Sequence, residues 1–325
     1  MISILKDLLN IKNWVKLYQN PLALKPLITN RFFSYPSKRF GRYSNDLLRN
    51  FLMNFWIWMA KRNNSLKYYF FNEKKNNYPE FLIDRNHSDC SKKIFNSLYN
   101  NGIVIIRNAL KHEEHKYICD KFENLENKSG TWELGPKNIT KSKDVDIFWA
   151  KDFIKKFSNL IEISNLVTKE IYGKCIDPSI EFYLHKSKNV PEEKILGENH
   201  LHMDRFLPNL KIYYSPFEIN SYSAPFKWVL GSHKINKKFL KYWKDLSSFN
   251  RDEVFEDRDS YLNNFQAKDI LEAVLEKNSL IIVFTNGLHC RSPFLKKNLT
   301  RKVVFLHYGN FNKLSLINFR KFNQK

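Results

Sequence analysis

From residue 181 onward, this chain is divided into short segments in which apolar and polar residues alternate. A period of two is typical of strands that bury one face. Because these strands follow predicted helices at 112–124 and 152–171, the pattern favours an α+β fold with a mainly β core, a two-sheet jelly roll braced by helices. The predicted strands are 181–185, 201–206, 211–214, 226–230, 280–285 and 302–308.

Two histidines and one carboxylate in this region form a candidate metal site. His202 and Asp204 are two residues apart, so in a strand their side chains point to the same side. His289, which follows the strand predicted at 280–285, would complete the set. Two imidazoles and a carboxylate on one face of an octahedral ion leave three positions open, as in non-haem Fe(II) oxygenases.

A basic residue near the start of the last predicted strand is a candidate anion ligand. Arg301 lies twelve residues after His289. A guanidinium there can clamp the far carboxylate of an oxo-acid through two parallel hydrogen bonds. Because neighbouring strand residues point to opposite faces, we expect Arg301 to face the interior and Lys302 to face outward.

Other sites and chemistries are less well supported. His200 and His202 resemble the start of a different metal motif, but 205–210 contains no Glu to complete it, so His200 is predicted to lie near the site without binding metal. The four cysteines are widely spaced, and no phosphate-binding glycine motif is present. We predict no chemical role for the remaining histidines, which are His87, His112, His115, His185, His233 and His307.

Several segments resemble those of one enzyme family, and they follow the family's order. Residues 226–234 are similar to a strand that ends in a Pro-Gly-Ser-His-Lys turn, with Leu230 in place of the Pro. Residues 98–110 are similar to a helix end, a Gly turn and a buried strand, and 278–284 stands where the family has a later apolar strand. Over about residues 88–312, the chain thus resembles the phytanoyl-CoA dioxygenase family of Fe(II)/2-oxoglutarate oxygenases.

The resemblance implies a fold, cofactors and a reaction. The fold is a cupin-like double-stranded β-helix, and His202, Asp204 and His289 would bind Fe(II). Arg301 would bind 2-oxoglutarate, and with O2 the enzyme would hydroxylate a small-molecule or lipid-like substrate, releasing succinate and CO2. Family members that halogenate lack the metal-binding carboxylate, so Asp204 favours hydroxylation.

One local departure concerns the residues after the second histidine. The family commonly has Ser two residues after it and Arg eleven residues after it. Here Arg291 stands at the second position, Ser292 at the third and Arg301 at the twelfth. A single inserted residue accounts for both shifts and leaves Arg291 and Ser292 as alternative ligands of the cosubstrate.

The domain prediction divides the chain at about residue 85. Residues 1–85 are interpreted as a helical extension, with helical patterns near 4–15 and 46–60, and 86–325 as the oxygenase domain. Residues 234–277 are interpreted as an insertion whose aromatic side chains could form a lid.

The composition bears on partners and location. The chain has 54 basic and 33 acidic residues, a net charge of +21, which would suit an anionic or acyl-linked small-molecule substrate. The favoured interpretation is ordinary solvated surface, with part of the charge due to a composition rich in Lys, Asn, Ile, Phe and Tyr. No nucleic-acid-binding motif accompanies the charge. Unpatterned cysteines, with no signal peptide or membrane-spanning run, predict a cytoplasmic protein. Residues 1–60 could contact the inner face of a membrane peripherally, although packing on the catalytic domain is the favoured interpretation.

A rival prediction is a non-catalytic double-stranded β-helix that acts as a binding or scaffold module, for instance at a membrane. The presence of all three candidate metal ligands, His202, Asp204 and His289, argues against it.

Overall fold

The described part of the chain contains two β-sheets, four α-helices with defined bounds, a π-helix at Lys67–Phe71 and a 3-10 helix at Ala267–Asp269. The computed structural model describes residues 67–71, 80–127, 140–141, 145–149, 157–172, 175–176, 178–186, 200–204, 210–246 and 261–307, together with Asn54, Ile57, Trp58 and Lys61. The strands are β1 Leu82–Asp84, β2 Ile103–Arg107, β3 Thr140–Lys141, β4 Val145–Trp149, β5 Ser179–Lys186, β6 Leu210–Ser215, β7 Phe226–Val229, β8 Ile270–Ala273, β9 Ser279–Phe284, β10 His289–Arg291 and β11 Thr300–His307. The α-helices are α1 Cys90–Asn101, α2 His112–Asn127, α3 Ser158–Tyr172 and α4 Lys237–Leu246.

The larger sheet has eight strands in the order β1-β2-β9-β6-β11-β5-β4-β3, and the smaller sheet has the order β10-β7-β8. All described pairs are antiparallel except β1 with β2. The strands therefore form the two-sheet, helix-braced arrangement that the alternating pattern predicts, and the predicted fold class is confirmed.

Strand β9 contains an uninterrupted apolar run, 280–284, because both of its faces are covered. All six of its residues are buried. Leu280, Ile282 and Phe284 belong to the core cluster that also contains helix residues, whereas Ile281 and Val283 belong to the cluster shared with the smaller sheet. A strand covered on both faces reads as a continuous apolar run, so β9 is an interior strand of the larger sheet.

Several described elements lie near or within the predicted domain limits. The larger sheet begins at Leu82, within the predicted extension, and 234–277 contains β8, a strand of the smaller sheet. Two aromatic residues assigned to the predicted lid, Tyr242 and Tyr261, are buried in the core. The rest of that segment, 247–260, lies outside the described residues.

Most of the predicted N-terminal helices also lie outside the described residues. Of that region the structure describes Asn54, Ile57, Trp58 and Lys61, with Ile57 buried and Trp58 exposed. Within the described part of the chain, no helix has the length and apolar character needed to cross a membrane.

Candidate active site

The segment 200–204 lies beside the smaller sheet. Backbone hydrogen bonds hold it to the loop before β10 and to the first residue of β10. His202 and His289 exchange two backbone hydrogen bonds, with N···O distances of 2.8 and 2.9 Å. The backbone N–H of Asp204 donates to the carbonyl oxygen of Thr285 at 2.9 Å. These bonds bring together residues more than eighty positions apart in sequence.

A buried turn supports the loop that precedes His289. The Ser232 hydroxyl accepts a hydrogen bond from the backbone N–H of Leu288 at 2.8 Å, and the Asn286 side chain donates to the carbonyl oxygen of His233 at 3.0 Å. A Cβ atom on Gly287 would lie 2.3 Å from the Trp228 ring. Tight packing between the turn and the loop therefore fixes the start of β10.

His202, Asp204 and His289 bring three donor atoms to one point. Oδ1 of Asp204 lies 3.7 Å from Nε2 of His202 and 3.6 Å from Nε2 of His289. All three donor atoms lie within 4.8 Å of one another. A metal ion placed between them could be reached by each donor.

The other ring nitrogens select the tautomer that a metal requires. Nδ1 of His202 lies 2.8 Å from the carbonyl oxygen of His200, and Nδ1 of His289 lies 2.9 Å from that of Gly287. Since a carbonyl only accepts, each Nδ1 carries the proton and each Nε2 directs its lone pair at Oδ1 of Asp204. Three electron-rich atoms that face one another can share a cation placed between them, and two imidazole nitrogens with one carboxylate oxygen fit a divalent first-row metal.

The protonation states at neutral pH agree with this fit. Burial and the neighbouring His289 lower the pKa of His202 to about 4, so its imidazole is neutral. Burial alone would raise the pKa of Asp204, but the ion pair with Lys211 holds that pKa well below its ordinary value. Asp204 is therefore an anionic ligand.

A cavity of about 190 Å³ opens beside these three residues, between the two sheets. It is smaller than the roughly 300–1,000 Å³ common for drug-sized ligands, so it suits a small molecule. Among its described lining residues one is acidic and three are basic, in addition to the histidines. The lining is Tyr183, His185, His202, Asp204, Lys211, Tyr213, Phe226, His289, Cys290, Arg291, Arg301, Val303 and Phe305.

Two buried guanidinium groups give the cavity a positively charged wall that suits an anion. Arg291 and Arg301 are 8% and 4% exposed. Burial and the nearby Arg291 lower the pKa of Arg301 to about 10, so it stays charged at neutral pH. Buried like charges are costly unless an anion compensates them, and in the described structure Nε of Arg301 has no hydrogen-bond partner.

His185 lies directly opposite Arg301 in the β5–β11 pairing. Burial, Arg301 and Arg291 hold the pKa of His185 well below its ordinary value, so the ring is neutral. Nη1 of Arg301 donates to Nδ1 of His185 at 3.4 Å. This contact orients the guanidinium and leaves its other donors for a ligand.

Of the six site residues predicted from the sequence, five line the cavity and Ser292 does not. His202, Asp204, His289, Arg291 and Arg301 all line the cavity. The hydroxyl of Ser292 instead donates to Oε1 of Glu272 on β8 at 2.7 Å, and Ser292 is not among the described lining residues.

Two further histidines and one lysine that the sequence analysis considered are not among the described lining residues of the cavity. His200 is exposed and contributes its carbonyl oxygen. His233 is fully buried and stacks on Phe284, with ring centroids 5.9 Å apart. Lys302 points elsewhere, with Nζ 4.7 Å from the centroid of the Phe217 ring.

Sequence reasoning missed two polar residues of the cavity, Lys211 and His185. Both occupy alternating positions in strands, and the pattern of β6 could have identified Lys211. Leu210, Ile212 and Tyr214 of that strand are in the helix-covered core, which leaves Lys211 on the cavity face.

Comparisons with known proteins gave structural similarities only. No protein-family model and no curated protein sequence matches the chain. Solved structures similar to it include the epimerase SnoN in complex with Fe3+, alpha ketoglutarate and nogalamycin RO, at 12% identity over 68% of this chain and 83% of that chain, with a TM-score of 0.46. Another is EctD from S. alaskensis with 2-oxoglutarate and 5-hydroxyectoine, at 11% identity over 74% and 79%, with a TM-score of 0.45. Because both TM-scores are below 0.5, the function of this chain is inferred from its own site.

Proposed function

We propose that this protein is an oxidoreductase, an Fe(II)- and 2-oxoglutarate-dependent dioxygenase that hydroxylates a small-molecule or lipid-like substrate. The observation that carries the proposal is the convergence of His202, Asp204 and His289 beside a cavity with two buried arginines. A metal site without an anion pocket, or an anion pocket without a metal site, would fit many functions. Their combination fits a metal enzyme with an anionic cosubstrate.

Iron would be held by Nε2 of His202, Nε2 of His289 and Oδ1 of Asp204. When bound together, Fe(II) and 2-oxoglutarate supply the oxidising chemistry, in which O2 is consumed and succinate and CO2 are released. The protein's part is to bind and orient. The hydrogen bonds from both Nδ1 atoms to backbone carbonyls hold the imidazole rings in place for this role.

Arg301 would bind the carboxylate of 2-oxoglutarate that lies farther from the metal. Its guanidinium is buried, is oriented by His185 and carries an Nε–H with no partner in the described structure. Arg291 also lines the cavity and is close enough to lower the pKa of Arg301. Of the two alternatives for a second cosubstrate ligand, the geometry thus favours Arg291 over Ser292.

Aromatic side chains would exclude water from the reacting groups. Tyr213 stacks on Phe305 with ring centroids 4.9 Å apart, and Phe226 stacks on His289 at 5.7 Å. These rings line the cavity. An apolar wall next to charged groups strengthens electrostatic interactions within the site.

The test is consumption of 2-oxoglutarate by purified protein with Fe(II) and O2, together with a metabolite screen for the substrate. We expect succinate to form in proportion to CO2, to require both Fe(II) and O2, and to be abolished by Asp204→Ala. Lys302→Ala, which alters a lysine outside the cavity, is the matched control and should keep the activity. No turnover by the folded, iron-loaded wild type would favour the non-catalytic binding module.

A further inference from the structure

An ion pair joins the candidate metal ligand Asp204 to the larger sheet. Nζ of Lys211 lies 2.6 Å from Oδ2 of Asp204. Oδ1, the other oxygen, is the one that faces the two imidazoles. The two oxygens of this carboxylate therefore have different partners.

Lys211 occupies a rigid position. Strand β6 is hydrogen-bonded to β9 on one side and β11 on the other, with Lys211 opposite Val283 and His307. Its Nζ also lies 5.5 Å from the centroid of the Phe305 ring. The side chain is 20% exposed, so solvent only partly screens its contact with Asp204.

We propose that Lys211 is a positioning residue that makes Asp204 a one-oxygen ligand and so keeps one coordination position of the metal open. This inference rests on the proposed function. Lys211 holds Oδ2 away from the metal centre, while Oδ1 remains directed at it. Without the lysine, both oxygens of Asp204 could turn toward the ion.

The ion pair between Lys211 and Asp204 matters because the metal ion has a limited number of coordination positions. An octahedral ion has six, of which the two histidines and one oxygen of Asp204 would use three. A 2-oxo acid that chelates through its carboxylate and keto oxygens would use two more, which leaves one for dioxygen. A second oxygen from Asp204 would occupy that last position.

This role differs from a general contribution to folding. If Lys211 only stabilised the site, its removal would weaken metal binding. If it restrains Oδ2, its removal adds a donor atom and takes away a nearby positive charge, so Fe(II) binding should be unchanged or tighter. The affected step should be the binding of a diatomic ligand after 2-oxoglutarate.

The experiment uses nitric oxide as a stable substitute for dioxygen. Full-length wild type, Lys211→Met and Lys302→Met are loaded anaerobically with Fe(II), and metal binding is measured by calorimetry. 2-Oxoglutarate is then added and followed by visible charge-transfer absorption. Nitric oxide is titrated last and is followed by electron paramagnetic resonance. Lys302→Met is the matched control because Lys302 lies over Phe217 and outside the cavity lining.

We expect Lys211→Met to bind Fe(II) at least as tightly as the wild type, to keep the absorption, and to bind nitric oxide about tenfold more weakly. The control should match the wild type throughout. Unchanged nitric oxide affinity in Lys211→Met would overturn the inference, and so would loss of its Fe(II) binding.

Two further outcomes separate this inference from the proposed function. Wild type that shows no absorption with Fe(II) and 2-oxoglutarate would refute the proposed function itself. If Lys211→Met does not fold, a crystal structure of the wild-type Fe(II) complex decides the matter. One oxygen of Asp204 on the metal and the other on Lys211 supports the inference, and both oxygens on the metal refutes it.

Discussion

Replacing Arg301 with Gln should weaken 2-oxoglutarate binding while leaving metal binding intact. Arg301 is 4% exposed, and its Nη1 is already engaged by His185. Its Nε–H and remaining donors are therefore the groups that a carboxylate would accept from. Gln at this position removes the charge and most of these donors without adding a large apolar group.

The size of the effect follows from two opposing contributions. A hydrogen bond to a charged group contributes about 1.5–3 kcal/mol, and a guanidinium can donate two to one carboxylate. The loss is partly offset because Arg291, which lowers the pKa of Arg301, no longer repels a second charge. We therefore expect a net loss of about 2 kcal/mol, which raises the Kd for 2-oxoglutarate roughly thirtyfold.

The assay is calorimetric titration of 2-oxoglutarate into anaerobic protein loaded with Ni(II). Arg301→Lys keeps the charge but not the planar fork, so its Kd should lie between those of the wild type and Arg301→Gln. Lys302→Gln is the control and should bind like the wild type. A change in Kd of less than about threefold for Arg301→Gln, under 1 kcal/mol, would refute the assignment of Arg301 as the carboxylate ligand.

Three further predictions concern the neighbouring residues. Arg291→Ser should raise the Kd for 2-oxoglutarate about tenfold in the same titration, whereas Ser292→Ala should leave it unchanged; the reverse result would make Ser292 the ligand. Gly287→Ala should lower the free energy of unfolding by about 1–3 kcal/mol, measured with urea, because the added Cβ would lie 2.3 Å from the Trp228 ring; equal stability would show that the ring can move aside. Burial, together with Lys234, holds the pKa of His233 well below its ordinary value. As pH falls below about 6.5, the unfolded state therefore binds a proton that the folded state does not bind. The free energy of unfolding should then fall by about 1.4 kcal/mol per pH unit. Urea unfolding at pH 7.5 and 5.5 should therefore show a smaller loss for His233→Gln than for the wild type, and identical losses would contradict this account.

Local patterns in the sequence predicted five of the strands, β5, β6, β7, β9 and β11, and the orientation of residues within them. Alternation in β11 places Arg301 on one face and Lys302 on the other, and the structure has Arg301 in the cavity and Lys302 over Phe217. The strand predicted at 201–206 is an exception, because the described residues 200–204 form only an isolated β-bridge between His202 and His289, although alternate residues of an extended segment still share one side. Such features depend on neighbours in the chain, so a single sequence is sufficient to identify them.

Contacts between side chains on different strands could not be predicted from local patterns. His185 contacts Arg301 because β5 pairs with β11 in one particular register. Lys211 meets Asp204 because a strand of the larger sheet faces the segment beside β10. A shift of one residue in either arrangement would turn these side chains away, and nothing in the local sequence specifies which partners meet.

The most direct test of the central claim is a crystal structure of the protein grown without oxygen in the presence of Fe(II) and 2-oxoglutarate. We expect one iron ion bound by Nε2 of His202, Nε2 of His289 and Oδ1 of Asp204, with the far carboxylate of 2-oxoglutarate on Arg301. Iron bound at a different place, or 2-oxoglutarate bound outside the cavity between the sheets, would contradict the proposed function.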